Sequence, residues 1–159
     1  MKKILLCCLL LAGLSSAGFA QTVKEGVQAP DFSAMKTDGT VFTLSSVQGK
    51  YVVLDFWGSW CPWCIKGIPN MKAAYAKYKD KMEIVGIACR DTEAKWKAAT
   101  AQYELPWISV LNPAANDLVK VYEVQGFPTK IVLDPQGKIL KIILGEDPAF
   151  YPYLDELLQ

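Results

Sequence analysis

The chain has 159 residues, 52% of them apolar, and its seventeen lysines and arginines nearly balance sixteen aspartates and glutamates, leaving a formal net charge of +1. This balance offers no basic field to a nucleic acid, so no nucleic-acid partner is expected. Because the chain has no histidine, a Cys–His or Ser–His catalytic pair, a histidine-ligated haem and most zinc sites are excluded, and we predict neither a metal nor a cofactor.

Residues 1–20 have the pattern of a secretory signal peptide. Lys2 and Lys3 form a basic start, residues 4–14 are apolar, and small residues lead to a cleavage site after Ala20. The apolar stretch is short for a membrane span, so anchoring through an uncleaved signal or a lipid is the weaker alternative. We predict an exported, periplasmic protein whose single domain covers residues 21–159. Its three remaining cysteines are too few for a disulfide-stapled scaffold, so a hydrophobic core must hold the fold.

The first half of the domain predicts a hairpin followed by a strand–turn–helix unit. Residues 31–36 and 40–44 read as paired strands because an Asp-Gly turn separates them. Residues 50–57 are almost continuously apolar, which is typical of a strand covered on both faces. A helix is predicted over residues 62–79, with a proline suited to its first turn and Pro69 expected to bend it.

The second half alternates strands and helices. We predict strands over residues 82–88, 107–111, 129–133 and 138–143, and helices over residues 92–103, 114–122 and 147–158. The last two strands bracket an Asp-Pro-Gln-Gly turn and form a second hairpin. This order of elements predicts a mixed α/β sheet flanked by helices.

The segment Trp60-Cys61-Pro62-Trp63-Cys64 directly follows the apolar strand. Two cysteines three positions apart at a helix start lie on one face, so their sulfurs can close a disulfide with little backbone movement. The partial positive charge of the helix N-terminus stabilises a thiolate, the reactive form of cysteine. The sequence therefore predicts a redox-active Cys61–Cys64 disulfide in a thiol–disulfide oxidoreductase, with Cys61 as the exposed nucleophile.

An aspartate and two tryptophans in or next to this motif are further candidates. Asp55 interrupts the apolar strand; burial would raise its pKa and suit it to take a proton from Cys64, although an aspartate at a strand edge is the alternative. Trp60 and Trp63 are expected to be exposed and to contact polypeptide substrates, with plain packing as the alternative. Cys89 is expected to be a buried structural thiol.

Several stretches together resemble the TlpA/ResA-like exported thiol–disulfide oxidoreductases of the thioredoxin superfamily. They are Leu54-Asp55-Phe56-Trp57, the cysteine motif, Pro69, Gly126-Phe127-Pro128-Thr129, the lead-in at residues 26–32 and an inserted helix and strand at about residues 90–111. The resemblance spans nearly all of residues 26–158. It implies a thioredoxin fold, a central mixed sheet flanked by helices, with an N-terminal β-hairpin and a helix–strand insertion.

The resemblance also implies roles. It makes Asp55 the proton acceptor for Cys64 and Phe127–Pro128 a cis peptide bond beside the sulfurs, where a substrate chain can pair with the backbone. It makes Asp91, at the start of the insertion, a candidate acid. The family's enzymes act on protein thiols and disulfides, mostly as reductants recharged by a membrane electron-transfer protein, and cytochrome c maturation is one family role.

One departure from the family pattern leaves the direction of electron flow open. The usual proline is the second residue between the cysteines, whereas here Pro62 is the first, so an oxidase or isomerase on the same fold stays an alternative. A non-catalytic interaction domain is the alternative from another class. A peroxidase would need a threonine where Gly58 stands, and a copper-delivery protein would need a longer cysteine spacing and a histidine.

Overall fold

The structure, a computed structural model, describes residues 22–159, so the predicted signal peptide lies outside the described residues. The strands are β1 (Ser33–Met35), β2 (Val41–Thr43), β3 (Tyr51–Trp57), β4 (Met82–Ala88), β5 (Ile108–Leu111), β6 (Thr129–Leu133) and β7 (Ile139–Leu144). The helices are α1 (Pro62–Tyr78), α2 (Glu93–Gln102), α3 (Leu118–Val121) and α4 (Phe150–Leu158), and a short 3-10 helix covers Leu44–Val47. Within residues 22–159, no helix is long and apolar enough to cross a membrane.

The central sheet has the strand order β5-β4-β3-β6-β7. Strands β3, β4 and β5 are parallel, while β6 runs antiparallel to β3 and β7 antiparallel to β6. Helices α1 and α2 make the crossovers that parallel neighbours require, and the turn after β6 makes the predicted hairpin. The mixed sheet flanked by helices is the thioredoxin fold expected from the sequence.

The alternation of side chains along β3 decides which face of the sheet each residue serves. Val53 packs with Ile68 and Met71 of α1, in the apolar cluster that α4 completes. Leu54 and Phe56 point to the opposite face and pack with Phe32 and Leu118, among others. Because Asp55 lies between Val53 and Trp57 in this alternation, its side chain belongs to the face that α1 covers.

The N-terminal hairpin forms a separate two-stranded sheet. Ala34 pairs with Phe42 across it, as the Asp-Gly turn predicted. An isolated bridge from Lys36 to Val110 ties the hairpin to β5 at the edge of the central sheet. The hairpin therefore extends the fold on the side where the inserted strand lies.

The helix predicted over residues 114–122 is wrong in its first part, because α3 covers only Leu118–Val121. The side chains of Asn112 and Asp117 explain why this helix starts later in the chain than predicted. Asn112 Oδ1 accepts the N–H of Leu118, and Asp117 Oδ1 accepts the N–H of Val119. Short polar side chains that bond nearby backbone groups favour a helix start over a helix interior. The other predicted strands and helices are confirmed to within a few residues.

Candidate active site

The two cysteines of the motif form a disulfide at the N-terminus of α1. Cys61 is the N-cap residue, with an extended backbone, and Pro62 is the first helical residue. The Cys64 N–H donates to Cys61 Sγ at 3.2 Å. The sulfur of Cys61 thus occupies the position where a helix N-terminus stabilises negative charge, which favours its thiolate once the disulfide is reduced.

The expectation that Cys61 is exposed is wrong for this disulfide state. Cys61 is 3% exposed and Cys64 6%. Both pack in an apolar cluster with Trp57 and Trp96, against which Phe127 also lies. The sulfurs of the disulfide are therefore shielded, and a substrate must approach through the side chains around them.

Two of the tryptophans are exposed, as predicted, and lie beside the disulfide. Trp60 is 45% exposed and Trp63 61%. The Trp60 ring meets the Phe127 ring edge-on at a centroid distance of 5.5 Å, and the Arg90 guanidinium lies 5.2 Å from the same Phe127 ring. The exposed aromatic surface beside the disulfide therefore carries a cation at its edge.

The Phe127–Pro128 bond is cis, as the resemblance implied. The loop is fixed from both ends, since Thr129 Oγ1 donates to the Gly126 carbonyl at 2.7 Å and the Gly145 N–H donates to the Pro128 carbonyl at 2.7 Å. Phe127 packs against the cluster that contains both cysteines. The loop and the disulfide therefore form one site built from two distant parts of the sequence.

Asp91 holds the loop that leads to Cys61. Its Oδ2 accepts the Ser59 N–H at 2.8 Å, and its Oδ1 accepts the Ser59 hydroxyl at 2.6 Å. Both carboxylate oxygens of Asp91 are therefore hydrogen-bonded to Ser59, which lies two residues before Cys61. Sequence analysis singled out Asp91 but missed Ser59, which carries no signal beyond its place in the loop.

Asp55 is buried on the α1 face of β3. Burial raises the pKa of its carboxyl to about 6; the Lys130 ammonium lowers it and the Glu146 carboxylate raises it. Its Oδ1 lies 4.0 Å from Lys130 Nζ and has no hydrogen-bond partner in the described part of the chain. This carboxyl can therefore change protonation state near neutral pH.

Two charged residues that sequence analysis missed complete the surroundings of Asp55. Lys130 lies directly opposite Asp55 in the β3–β6 register and is 2% exposed. Its ammonium makes a 2.8 Å bond to Glu146 Oε2, from the segment between β7 and α4. A signal for Lys130 was present, because it interrupts an apolar strand as Asp55 does; Glu146 lies in a polar loop and had none.

Cys89 is buried, as predicted, and lies outside the disulfide. Burial raises the pKa of its thiol to about 12, so the thiol stays protonated. Its carbonyl accepts the Trp60 indole N–H at 3.0 Å. The same contact fills the space beside Gly58, where a Cβ would lie 2.5 Å from Trp60 Nε1. A threonine at this position would therefore require the Trp60 indole to move.

Within residues 22–159, no group of three or more cysteine, aspartate or glutamate side chains is arranged to hold a metal ion. The chemistry available at the site is that of two sulfurs, a buried carboxyl and the helix N-terminus. This combination suits exchange of disulfides by thiolate attack.

The sequence is similar to those of several characterised proteins. The AhpC/TSA family model matches residues 26–142. The thiol–disulfide oxidoreductase ResA of Bacillus cereus is 33% identical over 127 residues, which are 79% of this chain and 73% of that protein. ResA of Bacillus subtilis is 31% identical over 145 residues, which are 89% of this chain and 80% of that protein.

Solved structures of thiol–disulfide oxidoreductases are also similar to this chain. The thioredoxin domain of a thiol–disulfide oxidoreductase from Bacteroides vulgatus has a TM-score of 0.80 at 30% identity, covering 87% of this chain and 100% of that one. A thiol:disulfide interchange protein from a Bacteroides species has a TM-score of 0.79 at 30% identity, covering 87% and 92%. The chain therefore belongs to the AhpC/TSA family of thioredoxin-fold proteins, and within it to the TlpA/ResA-like thiol–disulfide oxidoreductases.

Proposed function

We propose that this protein is an exported thiol–disulfide oxidoreductase that reduces disulfides of other proteins through Cys61 and Cys64. The observation that carries the proposal is the disulfide at the N-terminus of α1, packed against the Phe127–Pro128 loop, in a chain similar to ResA. Export is supported by the signal-like pattern of residues 1–20, and the direction of electron flow by the TlpA/ResA resemblance.

In the reduced enzyme, the Cys61 thiolate attacks one sulfur of a substrate disulfide. A Cys61–substrate bond forms, and the second substrate sulfur leaves as a thiolate. Asp55 then takes the proton of the Cys64 thiol, and the Cys64 thiolate attacks Cys61 Sγ. The enzyme disulfide closes and the first substrate sulfur leaves as a thiolate. The substrate gains two electrons from the enzyme, and a membrane electron-transfer partner supplies two further electrons that reduce the Cys61–Cys64 disulfide again.

Substrates bind, in this proposal, over the exposed aromatic surface and the loop beside the disulfide. Trp60 and Trp63 supply apolar contact, since exposed aromatic side chains suit polypeptide binding. The backbone at Phe127 and Pro128 pairs with an extended substrate segment as an added strand. Asp91, which the resemblance makes an acid, acts by holding Ser59 and with it the loop before Cys61.

The reduction potential of the Cys61–Cys64 pair tests the direction. Equilibration of the protein of residues 21–159 with glutathione should give a value near thioredoxin's, about −270 mV. A value near that of DsbA, about −120 mV, would make the protein an oxidant, the alternative that Pro62 raises.

Turnover tests catalysis itself. The wild-type domain should reduce insulin disulfides with dithiothreitol as the electron source, and Cys61→Ser should abolish the activity. Cys89→Ser is the matched control, because Cys89 is buried and lies outside the redox pair. Equal, uncatalysed rates for wild type and Cys61→Ser would instead favour a non-catalytic interaction domain. N-terminal sequencing of the exported protein should begin at Gln21.

A further inference from the structure

The buried Lys130 has two carboxylates nearby. It hydrogen-bonds to Glu146, which is not the residue opposite it in the β3–β6 pairing. Lys130 faces Asp55 directly across the β3–β6 ladder. Its ammonium nevertheless lies 2.8 Å from Glu146 and 4.0 Å from Asp55. Lys130 thus makes a charge-assisted hydrogen bond to Glu146 and only a longer ionic contact to Asp55.

The position of Glu146 is fixed by three structural elements. The Tyr151 hydroxyl of α4 donates to Glu146 Oε1 at 2.7 Å, while Lys130 of β6 donates to Oε2. On α1, Gly67 leaves the space that the carboxylate fills, because a Cβ there would overlap its carboxylate atoms. Gly67 lies one helical turn beyond Cys64 on the same face of α1. The Glu146 carboxylate is therefore held against α1 one helical turn after Cys64.

The titratable groups that interact electrostatically with Asp55 come from several elements. Lys130 comes from β6, Glu146 from the loop after β7, Tyr151 from α4 and Cys89 from the end of β4. Burial raises the pKa values of Tyr151 and Cys89, so both stay neutral. Cys64 on α1 is held in the disulfide and does not titrate. The charges that act on Asp55 are therefore those of Lys130 and Glu146.

We propose that Glu146 is a positioning residue that binds the Lys130 ammonium and so prevents it from closing a salt bridge with Asp55, leaving the Asp55 carboxyl free to exchange a proton during thiol chemistry. A Lys130–Asp55 salt bridge would hold Asp55 permanently ionised, since a nearby cation favours the charged form of a carboxyl. The Glu146 carboxylate opposes this effect in two ways. It keeps the Lys130 ammonium hydrogen-bonded to itself, and its negative charge disfavours a second negative charge on Asp55. The catalytic part of this inference rests on the proposed role of Asp55.

Glu146→Gln tests the inference in the oxidised domain, where neither Cys61 nor Cys64 titrates. The Asp55 carboxyl is followed by carbon-13 NMR between pH 3 and 8, with its resonance assigned by its loss in Asp55→Asn. We expect the titration midpoint to fall by at least about one pH unit in Glu146→Gln, because Lys130 turns to Asp55. Glu156→Gln, an exposed change on the same helix as Tyr151, is the matched control and should leave the midpoint in place.

Two further variants keep the test decisive if Glu146→Gln does not fold. Gly67→Ala should displace the Glu146 carboxylate and lower the midpoint in the same direction. Tyr151→Phe keeps all charges and should lower it much less. An unchanged midpoint in Glu146→Gln, or in Gly67→Ala if Glu146→Gln does not fold, would overturn the inference. Because the titration needs no substrate, this result is independent of whether the potential and the insulin assay support the proposed function.

Discussion

The two candidate aspartates of the active site lie in opposite surroundings. Asp91 is half-buried at the start of the insertion and accepts two hydrogen bonds from Ser59. Asp55 is buried in β3, and its Oδ1 has no hydrogen-bond partner among the described residues. A carboxylate with two good donors is a fixed hydrogen-bond acceptor, whereas a buried one without them can gain and lose a proton near neutral pH.

The surroundings of Asp91 suit it to hold the loop, whereas those of Asp55 suit it to exchange a proton. Asp91 stabilises the loop before Cys61 because both of its oxygens are bonded. Asp55 destabilises the fold when it is ionised, because burial disfavours its charge. Removing the Asp91 charge should therefore lower the free energy of unfolding, and removing the Asp55 charge should raise it.

The largest expected effect is on stability, from Asp55→Asn. The pKa of Asp55 is raised to about 6 in the folded protein from 3.8 in the unfolded chain. The folded state therefore keeps a proton that the unfolded state loses between these values, so the free energy of unfolding falls as pH rises through this window. Asparagine removes that fall. Urea unfolding at pH 7 should show a gain of about 3 kcal/mol, which disappears below pH 4.

Asp38→Asn is the control for this experiment. Asp38 is fully exposed, and hydrogen bonds from Thr40 lower its pKa. Asp38→Asn should therefore lower the free energy of unfolding at neutral pH, whereas Asp55→Asn should raise it. A destabilised Asp55→Asn at pH 7 would show that the Asp55 carboxylate is well solvated or paired, and the contrast with Asp91 would fail.

The second effect concerns rate. Asp55→Asn should slow the attack of Cys64 on the mixed disulfide by about a hundredfold at pH 7, a typical loss for a general base. The wild-type rate should fall as pH drops below about 6, where Asp55 becomes protonated, while the variant should lack this dependence. Stopped-flow measurement of Trp60 and Trp63 fluorescence can follow the step. An unchanged rate would remove Asp55 from the mechanism.

The sequence predicted the parts of the fold and site that depend on local pattern. Strands β3 and β4 were located to within a residue because their apolar runs are nearly continuous. Asp55 was identified for the same reason, since a single carboxyl stands out in such an apolar run. The cysteine pair needed only its spacing and the preceding strand.

The rest depends on contacts between distant segments. Glu146 acquires its position from Lys130, Tyr151 and the space left by Gly67, and nothing in the local sequence indicates these neighbours. The shielding of Cys61 depends likewise on Phe127, far along the chain. The predicted start of α3 was wrong because the Leu118 N–H donates to the Asn112 side chain, and this local hydrogen bond outweighed helix propensity.

The third effect is on the stability of the loop. Asp91→Asn removes the charge from two hydrogen bonds to Ser59, and we expect a loss of about 1–2 kcal/mol in urea unfolding of the oxidised protein. This loss at pH 7 contrasts with the gain expected for Asp55→Asn at the same pH. If Asp91→Asn instead abolished the pH dependence of the reaction rate, Asp91 would be the working acid and the two aspartates would exchange roles.

The smallest effect, from Ser59→Ala, distinguishes loop positioning from general stability. The change removes the hydroxyl bond to Asp91 and keeps the backbone one, so it should cost about 0.5–1 kcal/mol. Ser46→Ala is the matched control, because Ser46 is exposed and its hydroxyl donates to the Thr43 carbonyl far from the disulfide. Both variants should lose similar stability. Only Ser59→Ala should change the glutathione equilibrium of the Cys61–Cys64 pair, by about threefold or 15 mV toward the reduced form, since a looser loop holds the two sulfurs together less well.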